Sequence, residues 1–128
     1  MRGRLGFHIE VAPLAFTTTL TSAGDALISL TGELDLSATA PLEEEVERLA
    51  EEEGVRRVVL DLRELEFMDS TGLRMVALAE RRLRSAECEL VLVRGADAVQ
   101  RVFAITRMDE HLTFVDEPGP ADGDGTAA

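Results

Sequence analysis

Between Ala26 and Leu34, small or apolar residues occupy every second position, and from Ser29 onward the positions between them are polar. Ala26, Ile28, Leu30, Gly32 and Leu34 face one way, and Ser29, Thr31 and Glu33 the other, which is the period of a half-buried strand. Phe16 to Leu20, rich in threonine, predicts a strand before it. Ser22-Ala23-Gly24-Asp25 supplies the turn, because glycine and aspartate accept the backbone angles of a reversal. The period then lengthens. Leu42, Val46, Leu49 and Ala50 recur as the single stripe of an amphipathic helix, with glutamates on most other positions. Thr39 is the expected N-cap, Pro41 lies in the first turn, and Gly54 ends the helix.

Val58 to Leu62 is apolar but for Asp61 and too short for a helix, so it predicts a strand covered on both faces. Arg63 to Asp69 reads as a connector. A second helix is expected from Ser70 to Arg84, with Leu73, Val76, Ala77 and Leu83 on one face and Met75, Leu78 and Ala79 widening it. Leu90 to Val93 is the next central strand. A third helix is expected from Asp97, its candidate N-cap, to about Thr106, with Val99, Val102, Phe103 and Thr106 on one face. Leu112 to Val115 is a last short strand. This order predicts an α/β domain with a largely parallel sheet entered by an antiparallel hairpin.

Both ends depart from that pattern. Leu5, Phe7, Ile9 and Val11 alternate with Gly6, His8, Glu10 and Ala12 until Pro13 interrupts, so residues 1–15 form an N-terminal extension. It reads as an extra edge strand, an arm toward a second copy, or a partly ordered terminus. Residues 117–128 lack large apolar side chains and read as a disordered acidic tail, since they cannot bury enough surface to offset their ordering entropy.

The chain has 128 residues, enough for one domain, and a formal charge of −12. Such an acidic surface opposes general binding to nucleic-acid or membrane phosphates. A single cysteine, Cys88, builds no disulfide and fits a reducing compartment. No apolar run reaches the roughly 20 residues of a membrane span. A cytoplasmic protein is expected. His8 and His111 lie far apart in no metal-binding spacing, and the chain has neither lysine nor a glycine-rich phosphate loop.

The unusual stretch is Phe67-Met68-Asp69-Ser70-Thr71-Gly72-Leu73, between a buried strand and a helix. It is no nucleophile elbow, because Met68 stands where that motif needs glycine, and no histidine nearby in sequence activates Ser70. The simplest role for Asp69 and Ser70 is helix capping. A hydroxyl at a helix start is also well placed to carry a phosphate, because first-turn N–H groups and the dipole favour negative charge.

Three strings carry a resemblance: Leu30-Thr31-Gly32-Glu33-Leu34-Asp35, Val59-Leu60-Asp61-Leu62 and Phe67 to Leu73. Together with Ala98 to Phe103 leading to Met108-Asp109, they resemble the STAS domain, and more narrowly the bacterial anti-sigma factor antagonists, over residues 16–116. The resemblance implies a STAS-like mixed, largely parallel sheet entered by a β-hairpin and packed by three to four helices. It implies a binding module in transcription regulation and stress response, not an enzyme, with no cofactor of its own. Such an antagonist binds an anti-sigma factor serine kinase and frees a sigma factor. The kinase phosphorylates the signature serine, here Ser70, and a serine phosphatase reverses this.

The implied partner-binding face comprises Asp35, Ser37 and Thr39 beside Asp69, Ser70, Thr71, Gly72, Leu73 and Arg74. Gly72 would let the partner's backbone approach, and Leu73, Met75 and Val76 would either offer apolar docking area or belong to the core. Thr71 is a second hydroxyl that sequence leaves open as the modified one. Arg74 stands where some antagonists carry a small residue. No direct nucleic-acid or membrane partner is expected, and a homodimer stays open. The alternative is a constitutive STAS interaction or scaffold subunit, of a stress-sensing or lipid-transport complex, in which Ser70 is only a cap. A small enzyme using Asp69 and Ser70 is the remaining reading.

Overall fold

The structure, a computed structural model, describes residues 13–119. Strands β1 (Ala15–Leu20) and β2 (Asp25–Leu34) form the expected antiparallel hairpin, pairing Ala15 with Thr31 through Leu20 with Ala26. The Thr21 hydroxyl accepts from the amides of Ala23 and Asp25 at 3.3 and 3.2 Å. Gly24 completes the turn at φ +95°, where a Cβ would lie 2.8 Å from the Gly54 carbonyl oxygen. The alternation in β2 is borne out: Ala26, Ile28, Leu30, Gly32 and Leu34 are buried and their neighbours are not.

The chain continues through α1 (Thr39–Glu51), β3 (Arg57–Met68), α2 (Ser70–Ser85), β4 (Glu89–Val93), α3 (Asp97–Ile105), a short 3₁₀ turn (Met108–Glu110) and β5 (Thr113–Val115). The five strands lie in the order β1-β2-β3-β4-β5, with every pair after the hairpin parallel. One continuous core joins Ala26, Ile28 and Leu30 of β2, Val58, Leu60 and Leu62 of β3, and Leu90 and Leu92 of β4 to all three helices. Val59, Val91 and Val93 form a smaller cluster on the opposite face of the sheet.

Residues 63–68, expected as a connector, instead extend β3 to twelve residues. β4 pairs β3 only as far as Asp61 with Val93, whereas β2 continues to pair it as far as Leu34 with Met68. Arg63, Glu64 and Glu66 are therefore exposed and polar, and their pattern hides the strand. Two register shifts absorb extra β3 residues, and the second falls at Gly32, whose φ of +91° suits such a bulge.

Two expected caps are displaced. α1 is preceded by Ala38 with no side-chain cap, and Thr39 is already helical. Pro41 then falls on the third helical position, where its missing N–H has no intrahelical partner to lose. α3 is preceded by Ala96, not capped by Asp97. The Gln100 side chain reaches back instead, accepting from the Gly95 amide at 2.8 Å. Leu78, expected in the apolar stripe of α2, is 44 % exposed beside the groove between α1 and α2.

Asp61 is buried in the middle of β3 and bound by Arg63 through the amide (3.0 Å), Nε (3.0 Å) and NH2 (2.9 Å). Burial pushes its carboxyl up, but the Arg63 guanidinium and amide outweigh this and hold it below its ordinary value of 3.8. A depressed folded-state value stabilises the fold above the ordinary value, and the contribution fades as pH falls through the folded value. Asp61→Asn is therefore expected to cost most near neutrality. The gap from wild type should narrow as urea titrations move from pH 7 toward pH 3. A gap independent of pH would show that the charge contributes nothing.

The alternating pattern of residues 1–12 and the tail from residue 120 lie outside the described residues. Cys88 is a buried thiol, raised by burial and by the charge of Glu89. Among the described residues no cluster of histidine, cysteine or carboxylates is placed to hold a metal, and no helix is long and apolar enough to cross a membrane.

Candidate functional site

The parallel pairing of β2 with β3 ends at Leu34 opposite Met68, so the next residues of both strands, Asp35 and Asp69, leave the same end of the sheet. Sequence positions far apart thereby meet: the loop of residues 35–38 and the start of α2. The Asp69 amide donates to the Leu34 carbonyl at 3.3 Å, tying the two exits together.

Asp69 is the N-cap of α2. Its Oδ1 accepts from the amides of Thr71 (2.9 Å) and Gly72 (3.0 Å), satisfying two donors that a helix start otherwise leaves free. The capping expectation for Asp69 is met, while Ser70 is the first helical residue and is exposed. Its side chain is thus presented on a fixed turn. Thr71 is half-buried.

Gly72 is buried, and a Cβ there would stand 2.7 Å from the Leu34 carbonyl oxygen and 2.7 Å from Met68 Cγ. The close approach that requires glycine is made by the chain itself, which corrects the expectation that a partner's backbone uses this space. Leu73, Met75 and Val76 are 9 %, 2 % and 0 % exposed, so they belong to the core and offer no docking area.

In the facing loop, Asp35 Oδ1 accepts from the Ser37 amide (3.1 Å) and hydroxyl (2.9 Å), and the Ala38 amide donates to the Asp35 carbonyl at 3.0 Å. This local turn lifts Leu36 to 76 % exposure, the most open large apolar residue described. Sequence reasoning passed over Leu36, although an apolar residue between Asp35 and Ser37 in a loop was a readable signal. Thr39 is buried and lies beneath the surface. Arg74, one turn after Ser70, is exposed. The surface that remains open consists of Asp35, Leu36, Ser37, Asp69, Ser70, Thr71 and Arg74, and Asp35 and Ser37 also border a shallow pocket of about 220 Å³ lined further by Leu14, Phe16 and Pro41.

A family model described as "Mlab, STAS domain" matches residues 18–116. The anti-sigma-B factor antagonist of Listeria monocytogenes is 32 % identical over 96 residues, covering 75 % of this chain and 83 % of that protein. BtrV of Bordetella bronchiseptica is 46 % identical over a shorter stretch of 55 residues, 43 % of this chain and 47 % of BtrV. The unphosphorylated anti-sigma factor antagonist SpoIIAA superposes with a TM-score of 0.69 at 23 % identity, covering 80 % of this chain and 90 % of SpoIIAA. The phosphorylated form of the Bacillus protein gives 0.64 at 22 % identity, covering 80 % and 93 %. The chain therefore belongs to the STAS-domain family of bacterial anti-sigma factor antagonists.

Proposed function

We propose that this chain binds an anti-sigma factor serine kinase and so releases a sigma factor, and that phosphorylation of Ser70 ends the binding. A serine phosphatase restores the active form. The observation that carries the reading is an exposed hydroxyl on a helix start held by Asp69, in the middle of an otherwise small open surface. A relative of the same fold, SpoIIAA, has a phosphorylated form.

The physical logic is electrostatic. A phosphate adds about −1.5 to −2 charges to a face that a partner must desolvate. An unmatched charge buried at an interface costs about 2–5 kcal/mol, so affinity falls roughly 30-fold or more. Because Asp69 caps the helix independently of the Ser70 hydroxyl, the modification changes the surface while α2 keeps its start. Ser70 is favoured over Thr71 as the acceptor because its side chain is the more open of the two.

The test is reaction with the cognate anti-sigma factor kinase and ATP, followed by intact mass and peptide mapping. One phosphate on Ser70 is expected, absent in Ser70→Ala. Calorimetry should then show Ser70→Asp binding the kinase at least roughly 30-fold more weakly than Ser70→Ala. Modification at Thr71 would move the switch by one residue. A complex indifferent to ATP and to both Ser70 substitutions would instead establish a constitutive interaction subunit.

A further inference from the structure

We propose that Arg74 is the intramolecular partner of a phosphate on Ser70, so that the phosphorylated form carries its own clamp. The inference rests on the reading of Ser70 as the modified residue. Ser70 and Arg74 are four residues apart on α2, and both are exposed. Side chains at that spacing are neighbours on a helix surface. Helical side chains also lean toward the N-terminus, so the guanidinium of Arg74 is within reach of the turn that begins at Ser70. The order, anion first and cation four residues later, is the favoured one. The same helix already realises it between Glu80 and Arg84, at 3.4 Å.

Two further observations make Arg74 the group that answers the phosphate. Arg82 and Arg84 of α2 are engaged by Glu47 and Glu80, whereas Arg74 has no ion-pair partner among the described residues. The helix start cannot serve fully in its place, because the Thr71 and Gly72 amides are already taken by Asp69 Oδ1. The surroundings are otherwise hostile to an added anion: Asp69 is adjacent in sequence, Asp35 leaves the same end of the sheet, and the chain carries a net charge of −12. A guanidinium also offers paired donors to phosphate oxygens, which a lysine does not. The clamp holds the phosphate against α2, over the face that a partner needs; one guanidinium offsets only part of its about −1.5 to −2 charges, so a net anion still faces the partner.

The experiment installs phosphoserine at position 70 during translation, so it needs no kinase and its failure is distinct from failure of the proposed switch. Wild type, Arg74→Gln and Arg74→Lys are compared with and without the phosphate. On phosphorylation, the Nε–Hε NMR signal of Arg74 should move downfield in the wild type. The melting temperature of the phosphorylated Arg74→Gln protein should drop about 2–4 °C further than that of phosphorylated wild type, relative to each unmodified form. Arg74→Lys should recover part of that difference. An Arg74 Nε–Hε signal that does not move overturns the proposal whatever the melting data show. Equal phosphate effects in wild type and Arg74→Gln overturn it as well.

Discussion

Gly72→Val is expected to lower the unfolding free energy by about 3 kcal/mol, although glycine is usually the poorer helix residue. The reason lies in what a Cβ meets. It would enter within 2.7 Å of the Leu34 carbonyl oxygen and of Met68 Cγ, and within 2.9 Å of Leu34 Cγ. Met68 can change rotamer, but the Leu34 carbonyl is backbone and receives the Asp69 amide at 3.3 Å. Relief therefore pushes α2 away from β2 and weakens the tie that sets the height of Ser70. Gly72→Ala gains helix propensity and adds less volume, so its net cost should be only about 1–2 kcal/mol. Urea unfolding followed by circular dichroism measures both. A wild-type midpoint for Gly72→Val would mean that the helix start gives way freely. The open face would then not be a fixed one.

Phe103→Ala should cost about 3–5 kcal/mol, a large share of the roughly 5–15 kcal/mol that holds a domain of this size. Phe103 is fully buried and meets Phe114 of β5 edge to face, with centroids 5.1 Å apart and rings at 74°. α3 has nine residues and buries only Val99 and Phe103, so its anchorage is concentrated in two side chains. Loss of the ring leaves a cavity between α3 and β5 and frees the short helix. Ile105→Ala on the same helix is the control: Ile105 is 73 % exposed, and its change should stay within about 0.5 kcal/mol. Thermal melts of the two variants should differ by more than 10 °C, on the scale of about 4–8 °C per kcal/mol. Similar melts would mean that α3 contributes little to the cooperative core.

The proposed phosphoryl switch and the stability of the fold would meet at one point, the exit of β2 and β3. The signature around Ser70 combines two demands that sequence does not separate. Asp69 and Gly72 serve the fold, one by capping and one by allowing contact with Leu34, while Ser70 and Arg74 face outward. A variant that loses binding through Gly72 therefore loses stability with it. A variant at Ser70 should change binding alone.

The order of elements followed from sequence because each obeys a local period: two in β2, the helical stripe in α1, α2 and α3, and unbroken apolar runs in the buried strands. Asp69 as a cap and Ser70 as a candidate site were legible in the same way, since capping is a local hydrogen bond between near neighbours. The signature string also carried the family.

Other features depended on residues distant in the chain. The upper half of β3 is a strand because β2 pairs it, not because its own residues are apolar. Gly72 answers to Leu34, and Leu73 is closed off by the core rather than left for a partner. The starts of α1 and α3 fall one residue earlier than local propensity indicates: Thr39 and Asp97 are already helical, and neither Ala38 nor Ala96 supplies a side-chain cap. Local propensity decides which element a segment forms. Pairing register and close packing across the sheet decide which side chains stay in water, and at this site they left Ser70 and Leu36 there.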